Sequence, residues 1–256
     1  MKVQYCSDLH LEFPENKIFM EKNPLVAEGE VLLLAGDILP FALLDKKWDF
    51  FDFVSDHFKT VYWVPGNHEY YHSDISKRSG VLHEKIRENV FLVNDYDVTI
   101  NDIHFVFTTL WGNISTQHQW SIQQSIADFS RIKMNGKRFI ADDFNTLHAR
   151  SRVFLEKSLA ESGKRKTVVV THHVPTFLNY PEEYRNDALN EAFAVEMHDF
   201  IEPSGIDYWI YGHHHRNIPD FAIGRTRLAT NQLGYVRHGE HGSFRPNTTL
   251  NININD

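Results

Sequence analysis

Five short clusters of histidine, aspartate and asparagine stand along this 256-residue chain, each built from groups that bind cations or move protons. They are Ser7-Asp8-Leu9-His10, Gly36-Asp37, Pro65-Gly66-Asn67-His68-Glu69, Thr171-His172-His173 and Gly212-His213-His214-His215. Sixteen histidines outnumber the thirteen glycines, a surplus of the commonest metal ligand and usual proton carrier near neutral pH. Asp8 and His10 stand two apart in what reads as extended chain, so their side chains project the same way, and His213 and His215 repeat that spacing. With Asp37, Asn67 and His172 they make seven oxygen and imidazole donors without sulfur, suited to Mn, Fe, Zn or Co and less to Ca or Mg alone. Seven donors exceed the needs of one tetrahedral ion, so two cations bridged by Asp37 is the economical reading.

The elements that must position these groups are short apolar runs that end at them. Val3 to Cys6, Val31 to Ala35, Val61 to Val64, Thr167 to Thr171 and Asp207 to Tyr211 read as strands buried on both faces. Ligands gather at strand ends in open α/β sheets. Helical spacing covers Leu44 to Phe58, Ile75 to Arg87, Asp142 to Ala160 and Asn186 to Ile201, so strand and helix alternate as in a layered α/β domain. Two hairpins make the sheets mixed: Tyr96 to Ile100 with Ile103 to Thr108, and Ile218 to Ile223 with Thr226 to Thr230. The tail Asn247 to Asp256 alternates like an edge strand. No linker or repeat divides the chain, which is expected to form one domain over 1–256, with Gly112 to Phe139 as an insertion or lid.

Composition narrows the function classes. With 42% hydrophobic residues the chain can bury a sizeable core, and 26 basic against 34 acidic residues give −8, against a general nucleic-acid or membrane-surface binder. Cys6 is the single cysteine, so an internal disulfide is impossible and a thiolate zinc cluster nearly so. No run resembles a signal peptide or a membrane span, and the expected setting is soluble and cytoplasmic.

In order and spacing, Asp8-Leu9-His10, Gly36-Asp37, Gly66-Asn67-His68-Glu69, the histidine after Val168 to Thr171, and Gly212-His213-His214-His215 together resemble the calcineurin-like metallophosphoesterase family. The resemblance implies a four-layer α/β/β/α sandwich with two mixed sheets and a two-metal site at the sheet edge, the ions being Mn, Fe or Zn. By similarity Asp8, His10 and His215 would hold one metal, Asn67, His172 and His213 the other, and Asp37 would bridge them. His172 is preferred to His173 because the family ligand is usually the first of such a pair. His68 resembles the family histidine that contacts the phosphate or protonates the leaving oxygen, with Glu69 orienting it. His214 should point away from the metals. Two cations roughly 3.5 to 4 Å apart can supply hydroxide near pH 7 and clamp phosphoryl oxygens.

The leading expectation is therefore a phosphoesterase acting on a small-molecule mono- or diester. The alternative is a nuclease acting on nucleic-acid phosphodiesters, which would want a basic stripe with stacking aromatics and is disfavoured by the net −8 and dispersed charges; a non-catalytic scaffold should have lost a ligand, and every ligand is intact. The remaining histidines read as surface or packing residues, with His118 somewhat nearer to substrate and His238 and His241 undecided. Trp111 reads equally as the pocket floor or as a cover for the core, and Cys6 as buried and inert.

Overall fold

The computed structural model describes residues 1–253. In chain order its strands are β1 (Lys2–Cys6), β2 (Val31–Ala35), β3 (Thr60–Val64), β4 (Leu82–Arg87), β5 (Val90–Asn94), β6 (Tyr96–Ile100), β7 (Ile103–Thr108), β8 (Lys133–Met134), β9 (Lys137–Arg138), β10 (Lys166–Thr171), β11 (Tyr208–Tyr211), β12 (Phe221–Ile223), β13 (Thr226–Thr230) and β14 (Thr249–Asn251). The α-helices are α1 (Pro14–Lys22), α2 (Asp49–His57), α3 (Gln119–Ser125), α4 (Asp128–Arg131), α5 (Ala141–Glu161) and α6 (His198–Ile201).

Two six-stranded mixed sheets carry the architecture, in the orders β14-β1-β2-β3-β5-β4 and β12-β13-β11-β10-β7-β6. Each has a parallel centre, β1-β2-β3-β5 or β13-β11-β10-β7, closed at both edges by an antiparallel strand. The period-2 geometry of a strand splits each apolar run between two cores. Tyr5, Leu33, Tyr62 and Val64 meet Phe105, Phe107, Val168 and Ile210 between the sheets. Their neighbours Leu32, Leu34, Val61 and Trp63 face outward, onto Phe51 and Val54 of α2, and Val106, Val169 and Trp209 face Leu155 of α5 and Ile201 of α6. This is the expected α/β sandwich of two mixed sheets, and it accounts for strands without polar alternation.

The five strand-like runs and the long helix α5 stand where the sequence predicts them. In α5 the spacing of Phe144, Leu147, Ser151, Leu155 and Ser158 puts one face inward. Asn101 and Asp102, at φ 46° and 61°, turn β6 into β7 with the twist that a two-residue hairpin loop requires.

Several expected elements differ. Ile75 to Arg87 is a single 3-10 turn at Ile75–Lys77 followed by the edge strand β4, because Gly80 breaks the run at φ 76° and the backbone of Leu82–Arg87 pairs with β5. The charges of that segment, Glu84, Lys85 and Arg87, suit an exposed edge. Leu44 to Phe58 is helical only from Asp49, and Asn186 to Ile201 divides into a 3-10 turn, Ala188–Ala192, and the four residues of α6. An isolated bridge between Val174 and Ala194 separates the two. The final edge strand is confined to β14, antiparallel to β1, and the last three residues of the expected tail strand lie outside the described residues.

The Gly112–Phe139 segment, expected as an insertion or lid, buries Ile122, Phe129, Ile132 and Phe139 in the core beneath the first sheet. Trp111 is buried with them, in edge contact with Phe144, so its role is to cover core. Cys6 is buried, and burial pushes its thiol far up, as expected of an inert cysteine. Among the described residues no helix is long and apolar enough to cross a membrane.

Phe107 sits wholly buried between the sheets with its ring 4.9 Å from that of Tyr62. Phe107→Ala is expected to lower folding stability by about 3 to 5 kcal/mol, read as a fall in the urea midpoint at an unchanged slope.

Candidate metal centre and its cavity

Strands β1, β2, β3, β10 and β11 all end toward one edge of the sandwich, and the loops that follow them are laced together through the backbone. Asp8 and His10 donate N–H to the carbonyls of Gly36 and Asp37 at 2.9 Å each, and Gly212 donates to His172 at 3.0 Å. His172 donates Nδ1–H to the Ala35 carbonyl at 2.9 Å, joining the second sheet to the first inside the site.

The expected extended geometry is not what aims these side chains. Asp8, His10, Asp37, His213 and His215 all have left-handed backbone, at φ 57°, 45°, 55°, 82° and 53°. That conformation costs an L residue about 1 to 2 kcal/mol and curls each loop back over the strand end, so that neighbouring side chains converge. Glycines supply the room. A methyl on Gly66 would fall against Asp37 and 2.7 Å from the His172 ring, and one on Gly212 would fall 2.6 Å from both Asp8 and Ser7.

All seven predicted donors come together here. Asp8, His10, Asp37 and His215 each place a ligand atom within 4.8 Å of the others, and Asp37, His172 and His213 form a second such group, with Asp37 in both. His10 Nε2 lies 3.0 Å from His215 Nε2 and 3.7 Å from Asp37 Oδ2, and His215 Nε2 lies 3.3 Å from Asp8 Oδ1. In the second group His172 Nε2 stands 2.9 Å from His213 Nδ1, 3.4 Å from Asp37 Oδ1 and 3.2 Å from Asn67 Oδ1.

Each histidine is held from behind by its other nitrogen. His10 Nδ1 faces Glu12 at 3.2 Å, His172 faces the Ala35 carbonyl, His215 Nδ1 faces Glu240 at 2.8 Å, and His213 Nε2 faces the Ala192 carbonyl at 3.4 Å. A rear acceptor that fixes the tautomer and leaves the forward lone pair free is the arrangement that supports a metal-bound imidazole. The residues therefore fit two cations.

The electrostatics agree. Burial opposes the charges of Asp8 and Asp37, yet His215 holds Asp8 below its ordinary value, and His172 with His68 holds Asp37 well below it. Burial would strip protons from His172 and His215, but Asp37 raises the first to about 9 and Asp8 with Glu240 the second to about 10. His213, buried beside His173 and His172, is pushed far down and stays neutral.

His68 and Glu69 have separate tasks. The His68 N–H donates to Asp37 Oδ1 at 2.9 Å, while its ring faces Glu12 Oε1 through Nδ1 at 3.0 Å and the Tyr235 hydroxyl through Nε2 at 3.3 Å. Glu69, expected to orient His68, is instead fully buried and accepts N–H from Asp37 at 2.9 Å, Ile38 and Gly66 at 2.7 Å each, and Trp63 Nε1 at 3.0 Å. The 3-10 turn His68–Tyr70 carries its carboxylate toward the Asp37 loop, and Glu12 takes the place beside His68.

Sequence reasoning also missed Asp128 and Tyr235. Buried Asp128, at the start of α4, accepts from Asn67 Nδ2 and from the Tyr71 hydroxyl, each at 2.8 Å. It thereby turns Asn67 Oδ1 toward His172. Glu12 was within reach, since Asp8, His10 and Glu12 continue one spacing of two; Asp128, 61 residues from its partner, carried no local signal. His173 turns to the Thr109 carbonyl at 3.3 Å, and His214 is buried against Gln232, which donates to its Nδ1 at 2.8 Å. Burial lowers His214 to about 4.

A cavity of about 410 Å³ opens beside Asp37, Asn67, His68 and His213, walled by Tyr71, Tyr180, Tyr184, Phe193 and Tyr235. His118 instead meets Glu191 at 2.9 Å, and His238 and His241 are absent from the cavity wall among the described residues.

A model of the calcineurin-like phosphoesterase family matches residues 1–217. An uncharacterized protein of Acanthamoeba polyphaga mimivirus is 33% identical over 278 aligned positions, covering 98% of this chain and 96% of that one. Among solved structures, the phosphopantetheinyl hydrolase of Mycobacterium tuberculosis superposes with a TM-score of 0.68 at 17% identity, over 94% of this chain and 92% of that one.

Two measurements check the centre. Asp128→Asn is expected to weaken cation binding about 10- to 100-fold by isothermal titration calorimetry, because Asn67 loses the partner that orients it. A histidine must be neutral to bind a cation, whereas His172 at about 9 and His215 at about 10 carry protons at pH 7. Cation uptake at pH 7 is therefore expected to release protons, and affinity to rise with pH by about tenfold per unit for each proton displaced until those values are passed.

Proposed function

The chain belongs to the calcineurin-like phosphoesterase family and is a phosphoric ester hydrolase, and from that premise we propose that it cleaves a small-molecule phosphate ester at a two-cation centre. Asp8, His10 and His215 would hold one cation, Asn67, His172 and His213 the other, and Asp37 both. The observation that carries this reading is the convergence of His10, His172, His213 and His215, each through the nitrogen that its rear acceptor leaves free. A nitrogen and oxygen set without thiolate fits Mn, Fe or Zn. When bound, such a pair of cations activates water and neutralises the phosphoryl oxygens of the ester.

His68 supplies the proton. Burial works against its charge, but Asp37 and Glu12 raise it above the ordinary histidine value, which favours the protonated ring that a proton donor needs. It stands at the cavity wall, where it can protonate the departing oxygen or contact the phosphate. Glu12, which burial pushes up and the two histidines draw down to about 2, is the fixed anion that holds this ring. Tyr235 faces the Nε2 side, and Glu69 acts one step back, by holding the Asp37 loop.

A net charge of −8 and the absence of lysine and arginine from the cavity wall among the described residues weigh against a nuclease. A cytoplasmic setting suits the buried free thiol of Cys6.

The test is metal analysis of the purified protein, followed by hydrolysis of p-nitrophenyl and bis-p-nitrophenyl phosphate in Mn²⁺, Zn²⁺ and Mg²⁺. Two bound ions and turnover of at least one ester are expected. His68→Ala is expected to retain both cations and lose about 10² to 10⁴-fold in kcat on a poorly activated ester. Glu12→Gln removes a charge that favours the protonated ring, so the basic limb of the pH–rate profile is expected to move to lower pH.

A further inference from the structure

Two hollows, not one, open onto His68. Besides the larger cavity, a second of about 210 Å³ is lined by the same ring and bounded by Glu12, Phe13, Pro40, Leu43, His72 and Arg131. His68 and Tyr71 line both, and their rings lie 4.1 Å apart, so the pair forms a partition with space on each side of the proton donor. A phosphodiester carries an ester group on either side of its phosphorus, whereas a monoester would occupy one hollow and leave the other to solvent.

Both hollows carry carboxylate, Glu12 in the smaller one, but among the described residues only the smaller one also has a guanidinium. Among the described residues no lysine or arginine lines the larger one, while Asp128, Asp187 and Glu240 do. Arg216, next in sequence to His215, is not itself in the wall; it lies over the Tyr184 ring at 5.9 Å and is paired with Glu183 at 2.6 Å. Arg131 stands only on the smaller side, where it lies over the Tyr71 ring at 5.2 Å. Beyond the metal centre and His68, an anionic group in the larger hollow would find no lysine or arginine among the described residues and would meet the carboxylates of Asp128, Asp187 and Glu240. Flat uncharged groups fit better, since Tyr180, Tyr184 and Phe193 offer ring surface.

Resting on the two-cation reading above, we propose that the substrate is a phosphodiester whose larger ester group is uncharged and ring-bearing and sits between these aromatic walls. The juxtaposition of two hollows across the His68–Tyr71 partition calls for the diester, and the acidic, aromatic wall selects the group.

The experiment uses the Mn²⁺-loaded protein and four esters. Methyl p-nitrophenyl phosphate is expected to exceed p-nitrophenyl phosphate in kcat/KM by about tenfold or more, and methyl phenyl phosphate to exceed methyl 4-carboxyphenyl phosphate by a similar factor. Asp187→Lys is expected to narrow the second ratio, and Tyr184→Ala to raise KM for methyl p-nitrophenyl phosphate about three- to tenfold. A preference for the monoester, equal turnover of the carboxylated ester, or ratios and KM unmoved by the two variants overturns this proposal and leaves the phosphoesterase reading intact. Failure to hydrolyse any of the four overturns that reading, and this proposal with it.

Discussion

The carboxylate of Asp37 is the point on which the structure turns. It is buried at 1% exposure, faces His10 on one side and His172 on the other, and accepts the backbone N–H of His68. A carboxylate removed from water is stable only if cations and donors surround it, and here those come from both sheets. The first sheet supplies His10 and His68 through its loops, and the second supplies His172, His213 and His215. Closing the sandwich and completing the shell around Asp37 are therefore one event.

That requirement explains why the chain departs from regular geometry where it does. Each of five donors sits in left-handed backbone, a cost of about 1 to 2 kcal/mol apiece that the strand pairing nearby does not demand. The burial of Tyr62, Phe105, Phe107 and Val168 between the sheets is what holds the loops so close together. Glu69 adds the second restraint, gathering the N–H groups of Asp37, Ile38 and Gly66 on a single carboxylate. Burial and the charge of Asp37 raise Glu69 to about 8, while those backbone donors work in the opposite direction. Strain is thus concentrated where side chains must converge and is carried by rigid elements behind them.

The charge pattern extends outward from the same point. Asp8 and Asp37 are offset by protons on His172 and His215, so the centre can exchange protons for cations without leaving a bare buried charge. Glu12, Glu240 and Asp128 form an outer ring of acids, each with a partner inside: His10 and His68, His215, and Asn67. Two of these acids, Asp128 and Glu240, which orient Asn67 and His215, also line the larger cavity and make its wall acidic.

Much of this was legible in the amino-acid order. Strands β1, β2, β3, β10 and β11 announce themselves as short, mostly apolar runs, because strands buried on both faces need no polar alternation, and the seven donors follow them directly. What the order could not show were relations between distant segments. Whether Leu82–Arg87 became helix or strand was decided by pairing with β5, since a short run of mixed residues satisfies either period until an edge is offered. The partner of His68 proved to be Glu12, 56 residues away, and not its neighbour Glu69, because the turn at His68–Tyr70 sends that carboxylate beneath the Asp37 loop. Asp128 gained its task only when α4 packed against Asn67. Sequence by itself determined which donors exist and at which strand ends they lie, since both follow from local side-chain chemistry; which carboxylate serves which donor, and what shape surrounds them, was decided by tertiary packing, because those pairings depend on the closure of two sheets.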